Sequence, residues 1–275
     1  MDVIQERAYA KLNLTLGVLY KRHDGYHALD TLMQSVDLFD TLTIERDTQV
    51  LVTATGQTLP YNNTLRRAAL AYQAYTGKGA RIHVTKRIPA ESGMGGGSAD
   101  AAAVLNGMQK LYDALDEGTI ADIALLVGAD VPFCLRGGLQ RAEGIGELLT
   151  PLSGCDMHFV IAKPAQGVST KQLFYSLKLP RPQPDTARAI AAIANGDLRA
   201  LGKLLFNALE EAATVFVPAI GELHDALLQH GALGASMTGS GSTVFGLFET
   251  EEQAAAAAGA MQDLAPFVRV CRAVW

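Results

Sequence analysis

An α+β fold in two domains is what this sequence predicts, and three observations predict it. Segments that alternate apolar and polar residues, as strands do, are mixed along the chain with segments whose apolar residues recur at helical spacing. The length, 275 residues, suits about two domains. Pro151, Ser153 and Gly154 cluster within residues 150–156, where a domain seam is expected. We therefore expect a first domain over residues 1–155 and a second over 156–275, sharing a cleft.

The elements follow in order. Lys11–Val18 alternates strictly, with Leu12, Leu14, Leu16 and Val18 on one face and Lys11, Asn13 and Thr15 on the other. That predicts a half-buried strand presenting an amine and an amide side by side, roughly 7 Å apart. Residues 22–25 carry turn chemistry ending in Asp24-Gly25. Strands are expected at 38–45, 50–54 and 80–85, and a helix at 63–75. A helix over 99–112 follows from Ala101, Val104, Leu105, Met108, Leu111 and Tyr112, with Ser98 as its expected N-cap and Asp100 in its first turn. A helix at 119–127 leads to a loop at 128–132, then to strands at 133–135 and 139–142 around Gly137-Gly138. Beyond the seam come a strand at 158–162, a helix starting at Ser169, a proline-rich linker at 179–184, and helices at 186–194, 198–213 and 219–230, the last closed by Gly231. Two strands meet at a turn over 239–242, and a helix at 251–264 and a strand at 268–273 complete the chain.

Composition narrows the function. Hydrophobic residues are 49% and charged residues 19%, enough for a sizeable core and against disorder. A net charge of -5 provides no basic surplus for nucleic acid or an anionic membrane. An anionic ligand must then be held locally, by N–H groups and a few placed cations. Cys134, Cys155 and Cys271 are far apart and no CxxC or HExxH occurs, so neither a disulfide frame nor a zinc site is expected. Asp2 and Glu6 break any signal-peptide pattern, and no apolar stretch reaches the ~20 residues of a membrane span. A soluble, cytoplasmic protein is expected.

Residues 89–104, PAESGMGGGSADAAAV, place four glycines directly ahead of the helix. Glycine allows close backbone approach and positive φ, and a helix N-terminus offers free N–H groups and the positive end of a dipole. Together they form a phosphate cradle. A tight strand-to-helix turn is the competing reading. Neither GxxxxGK[ST] nor GxGxxG occurs, so the P-loop and Rossmann templates are excluded, and HRD and DFG are absent.

AYAKLNL (8–14), DGYH (24–27), GMGGGSADAA (93–102), GADVPF (128–133), AEGIGE (142–147) and TGSGS (238–242) stand in one order. In this the chain resembles the GHMP kinase superfamily, and within it the branch that phosphorylates a diphosphocytidyl methylerythritol alcohol. The likeness is strong over the first 150 residues and thinner over 178–233. It implies a two-domain α+β GHMP kinase architecture with the active site in the interdomain cleft. It also implies transfer of the γ-phosphate of ATP to the 2-hydroxyl of the cytidyl substrate, a step of non-mevalonate isoprenoid synthesis.

The resemblance implies roles residue by residue. Lys11 and Asp130 are expected to be catalytic and to meet, with Asn13, at the acceptor hydroxyl. A carboxylate can take the hydroxyl proton late in the transfer, and an ammonium stabilises developing charge on phosphorus. Taken alone, Asp130 reads as a turn residue and Lys11 as a solvated strand lysine. Tyr26 is expected to stack on the cytosine, His27 to contact its polar edge and Phe174 to cover its other side; ordinary core aromatics are the alternative for Tyr26 and Phe174. ATP is assigned to Pro89, Ala90, Glu91, Ser92, Gly93, Met94, Gly95, Gly96, Gly97, Ser98 and Ala99, with Gly239 and Gly241 closing the phosphate side. Lys86 and Asn63 fall on the purine side, although Lys86-Arg87 also reads as a solvated basic pair and Asn63 as a helix cap. Many relatives carry a second serine where this chain has Ala99, and leucine in place of Met94. Mg²⁺ is expected to arrive with ATP, held by phosphate oxygens and water. Rival functions are another GHMP kinase acting on a sugar, homoserine or mevalonate-type alcohol, and a non-catalytic nucleotide-binding protein on the same scaffold.

Overall fold

The strand signalled at Lys11–Val18 runs much further, over Val3–Lys21 (β1). A second long strand, His27–Asp47 (β2), takes in the segment expected at 38–45. The computed structural model describes residues 3–275, so Asp2 lies outside it. Next come β3 (Leu51–Thr55), α1 (Thr64–Thr76), β4 (Gly79–Thr85), α2 (Gly96–Tyr112), α3 (Glu117–Val127), α4 (Val131–Arg136), β5 (Leu139–Gly144), β6 (Leu148–Leu152) and β7 (His158–Lys163). The chain continues through α5 (Thr170–Ser176), α6 (Thr186–Ala194), α7 (Leu198–Gly202), β8 (Phe206–Asn207), α8 (Glu210–Phe216), α9 (Ala219–Gln229), β9 (Gly234–Met237), β10 (Val244–Phe248), α10 (Glu251–Ala260) and β11 (Phe267–Arg272).

Two compact units result, and they interleave along the sequence. One holds the residues up to Ala10 with Leu38–Pro89 and Gly95–Gly137; the other holds Lys11–Asp37, Ala90–Met94 and Gly138–Trp275. β1 and β2 therefore contribute to both.

In the first unit, β3 runs parallel to β4 and β4 antiparallel to β2, with Ile82 opposite both Val52 and Ile44. β4 buries Ala80, Ile82 and Val84 and exposes Arg81 and His83. The buried side meets Leu65 and Tyr72 of α1 and Val104, Leu105 and Met108 of α2 in one core. The alanine-rich face of α2 permits this close packing: a Cβ on Gly107 would overlap the Ile44 side chain.

The second unit has its own sheet, antiparallel in the order β11-β7-β10-β9. Phe159 and Phe245 meet edge to face in it, with ring centroids 5.9 Å apart. β5 pairs with β2 and β6 with β5, while β8 lies parallel to β1 with Asn207 opposite Leu16. Helices α8, α9 and α10 bury Ala213, Leu223, Leu227 and Ala257 against the sheet residues Val160, Val244 and Val268.

Four local expectations are corrected. Residues 133–135 are helical, because Pro132 stands in the first turn of α4, where a missing N–H costs nothing. The single helix expected at 198–213 breaks into α7, β8 and α8: Ala208 N donates to Leu16 O at 2.9 Å, so pairing with β1 overrides the helical spacing. Ser98 is not the N-cap of α2; Gly95 is, with φ +72°. The strand around Lys11 is not half-buried, since residues 10–18 are buried on both faces. Among the described residues no helix is long and apolar enough to cross a membrane.

Candidate active site

The polar face of β1 is the centre of the site in the second unit. Lys11, Asn13 and Thr15 are at most 3% exposed, which rules out a solvated strand lysine. A buried ammonium or amide is tolerated only when paired, and these are. Lys11 Nζ donates to Asn13 Oδ1 at 2.5 Å, and Asn13 Nδ2 donates to Thr31 Oγ1 at 2.8 Å. Thr31 Oγ1 donates in turn to Thr15 O at 2.6 Å. Asn13 N donates to Thr238 Oγ1 at 3.0 Å, and that hydroxyl donates back to Asn13 Oδ1 at 3.3 Å. The strand face predicted from alternation is thus tied to the TGSGS turn, 225 residues away in sequence.

The segment 90–94 packs on the same turn. Lys11 N donates to Met94 O at 3.0 Å, and Thr243 N to Ser92 O at 3.3 Å. Gly93 has φ +73°, and a Cβ there would overlap Thr238 O and stand 2.9 Å from Gly241 N. Gly239 has φ +56°, and its Cβ would come within 2.5 Å of Gly93 O. Glycine is required at both, for conformation and for mutual approach. One residue here escaped the sequence reading. Asn207, on β8, donates its amide to Met237 O at 2.6 Å and Gly239 O at 2.9 Å. The signal available was an asparagine set in an otherwise apolar helical pattern.

His27 and Phe174 come together, their ring centroids 5.0 Å apart and tilted by 31°. Burial, and secondarily Lys21, holds the His27 imidazole below the usual histidine range, so the ring is neutral at pH 7. Tyr26 is 60% exposed and is no core aromatic. It stands on a turn braced by its own N–H to Asp24 Oδ1 at 3.0 Å and by Arg22 N to Tyr26 O at 2.8 Å.

The N-terminus of α2 belongs to the first unit. No side chain caps it; Ser98 N and Ala99 N both donate to Gly95 O at 2.9 Å, ahead of which the glycines supply the open first turn. Ala99 is 2% exposed, so the absent second hydroxyl removes no exposed group. Asp130 stands at the N-cap position of α4, half-buried, without making a capping bond. Asn63 is the N-cap of α1: it accepts from Arg66 N at 2.9 Å and donates to Pro60 O at 2.8 Å.

Lys86 is no solvated basic residue. Its ammonium lies between Asp40 and Asp100 (2.5 Å to Asp100 Oδ2), with all three side chains at most 5% exposed. Asp40 Oδ1 also accepts from Arg87 N and from Ile88 N, the latter at 2.9 Å. The triad therefore joins β2, the segment entering the glycine run and the helix leaving it. One ammonium cannot neutralise two buried carboxylates. Burial together with the nearby Asp40 charge, opposed by Lys86, leaves the Asp100 carboxyl pushed up to about 7.

Among the described residues no group of three or more His, Cys, Asp or Glu is placed to hold a metal ion.

A glycine-rich helix N-terminus, a buried lysine–asparagine strand and an α+β chain of two units together define a GHMP kinase. The family profile "GHMP kinases N terminal domain" matches residues 63–138, and "GHMP kinases C terminal" matches 189–266. A 4-diphosphocytidyl-2-C-methyl-D-erythritol kinase of Caldicellulosiruptor saccharolyticus is 42% identical over 262 residues, 92% of this chain and 90% of the relative. One of Alkaliphilus metalliredigens is 39% identical, over 94% of this chain and 92% of the relative. The crystal structure of a 4-(cytidine 5'-diphospho)-2C-methyl-D-erythritol kinase matches with a TM-score of 0.86 at 34% identity, covering 99% of this chain and 100% of that one. The chain belongs to the 4-diphosphocytidyl-2-C-methyl-D-erythritol kinase family of the GHMP kinases. It is an ATP-dependent small-molecule kinase.

Proposed function

We propose that this protein transfers the γ-phosphate of ATP to the 2-hydroxyl of 4-diphosphocytidyl-2-C-methyl-D-erythritol, in the cytoplasm, as a step of non-mevalonate isoprenoid precursor synthesis. The observation that carries the reading is the buried Lys11–Asn13–Thr238 network beside two abutting glycine turns. An ammonium held dry by an amide, next to turns that only glycine can form, suits an anionic reaction centre.

In this reading the Asp130 carboxylate takes the proton of the acceptor hydroxyl as its oxygen bonds to the γ-phosphorus. The bond to the β–γ bridging oxygen breaks, and ADP leaves with the electron pair. Lys11 stabilises charge on the transferred group, and Asn13, fixed by Thr31 and Thr238, orients both the lysine and the acceptor. The phosphates lie along residues 89–99, with Gly239 and Gly241 contributing N–H groups. Asn63 and the main chain at Lys86 line the purine side. Tyr26, His27 and Phe174 hold the cytosine: a flat base suits the aromatic faces, and a neutral imidazole can accept a hydrogen bond from the exocyclic amine. Mg²⁺ enters on ATP, held by phosphate oxygens and water, and neutralises phosphate charge when bound. In this reading the family domains meet near 155/156, a position that lies outside both profile matches, 63–138 and 189–266. The partners are the cytidyl substrate and ATP, with neither nucleic acid nor membrane.

A kinase assay with Mg-ATP and the cytidyl acceptor, run beside galactose, homoserine and mevalonate, tests this. We expect phosphorylation of the cytidyl alcohol alone, inhibited by CMP in competition with the acceptor. Turnover of another alcohol, or indifference to CMP, overturns the substrate assignment.

A further inference from the structure

We propose that Asn207 is a positioning residue for the phosphate-side turn, setting the geometry of Gly239 and, through Thr238, of Asn13 and Lys11. The proposal rests on the assignment of Gly239–Gly241 to the ATP phosphates.

Asn207 is 6% exposed, and its amide is fully engaged. One N–H donates to Met237 O at 2.6 Å and the other to Gly239 O at 2.9 Å, while Oδ1 accepts from Leu209 N at 2.9 Å. The two carbonyls bracket Thr238, the residue whose hydroxyl exchanges hydrogen bonds with Asn13. The main chain of Asn207 is anchored independently. Its register partner is Leu16 on β1, and Ala208 N donates to Leu16 O at 2.9 Å. The strand that carries Lys11 and Asn13 therefore also fixes the side chain that fixes the turn. Glu210, one turn on, takes the remaining group: Met237 N donates to Glu210 Oε2 at 2.9 Å. Both main-chain polar groups of Met237 thus meet side chains of the segment 207–210. A turn whose glycines have φ of +56° and +83° has many conformations open to it, and the Asn207 bonds to Met237 O and Gly239 O add an external hold to the turn's own bonds, Thr238 N to Thr243 O and Gly241 N to Thr238 O, both at 3.0 Å.

Only an amide presents two donors and an acceptor in this shape. Asn207→Asp keeps the size and the bond to Leu209 but turns an oxygen towards two carbonyls. The test uses the full chain as wild type, Asn207→Asp, Asn207→Ser and Leu227→Ala, the last emptying a core site on α9. Each is measured by steady-state kinetics, by calorimetric titration with ATP and by thermal melting. We expect both Asn207 variants to raise KM for ATP and lower kcat, with kcat/KM falling roughly 10- to 100-fold for Asn207→Asp and less for Asn207→Ser. Leu227→Ala should lower Tm while keeping kcat and KM within about twofold of wild type. The proposal is overturned if folded Asn207 variants lose Tm only, with kcat and KM unchanged. Should Asn207→Asp not fold, Asn207→Ser decides by the same criterion. If the wild type binds ATP but fails to phosphorylate the cytidyl acceptor, the functional reading fails. The ATP titration then still decides the role of Asn207.

Discussion

At the scale of single residues, the site depends on pairing polar groups that the fold has removed from water. Lys11 and Asn13 are buried among leucines and survive there because each meets a partner within 3 Å. Asp130 is assigned the proton, so Asp130→Asn, nearly isosteric but unable to accept it, should cut turnover by about 10²- to 10⁴-fold and leave ATP affinity almost unchanged. Calorimetry beside initial rates checks this, and unaltered turnover removes Asp130 from the mechanism. His27 makes a pH prediction. Its folded pKa is depressed, chiefly by burial, so the ring gains its proton at a lower pH than an ordinary histidine does. The acceptor KM should be flat from pH 8 down to about 6.5 and rise at lower pH, whereas a rise already at pH 7 contradicts the assignment. The sign for stability is the same: the unfolded chain takes up the proton first, so this group costs stability as pH falls.

At the scale of elements, the glycine run is held at both shoulders rather than being a free loop. Asp40 on β2 receives Lys86 and the N–H groups of Arg87 and Ile88, while Asp100 on α2 receives Lys86 from the other side. The helix from Gly96 was legible from apolar spacing. Its start was not, because a glycine N-cap carries no side-chain signal. The triad implies a pH-dependent stability. The Asp100 carboxyl keeps its proton up to about 7 when folded, against about 3.9 for an ordinary aspartate. The folded chain then binds the extra proton across that window, and stability falls as pH rises through it. Asp100→Asn removes the excess negative charge and should flatten this slope, read as Tm against pH from about 4 to 7. Equal slopes in the two proteins would show that Asp100 titrates elsewhere. Asn207 belongs to this scale too, since β8 exists only because two residues leave a helical pattern to pair with β1.

At the scale of the whole molecule, each unit has its own core, and the chain crosses between units more than once. The motif order along the sequence therefore does not map onto consecutive bodies. A ligand that binds only the folded chain stabilises it by mass action. ATP with Mg²⁺ at about 100 times its Kd should raise Tm by on the order of 5 °C. CMP should add a separate increment through the cytidine side. Absence of any ATP shift would favour a scaffold whose glycine run is only a turn.

The sequence by itself determined the α+β class, most of the helices and strands, the strand face of Lys11 and Asn13, and the glycine run ahead of α2. These are properties of periodicity and local backbone freedom, which neighbours within a few residues decide. Only the tertiary structure decided that the polar strand face is buried, that Lys86 lies between two carboxylates, and that Asn207 holds the second glycine turn. Each of those depends on a partner distant in sequence, such as Thr238 for Asn13 or Asp40 for Lys86. No local pattern carries information about a hydrogen bond whose other half arrives only when the chain folds.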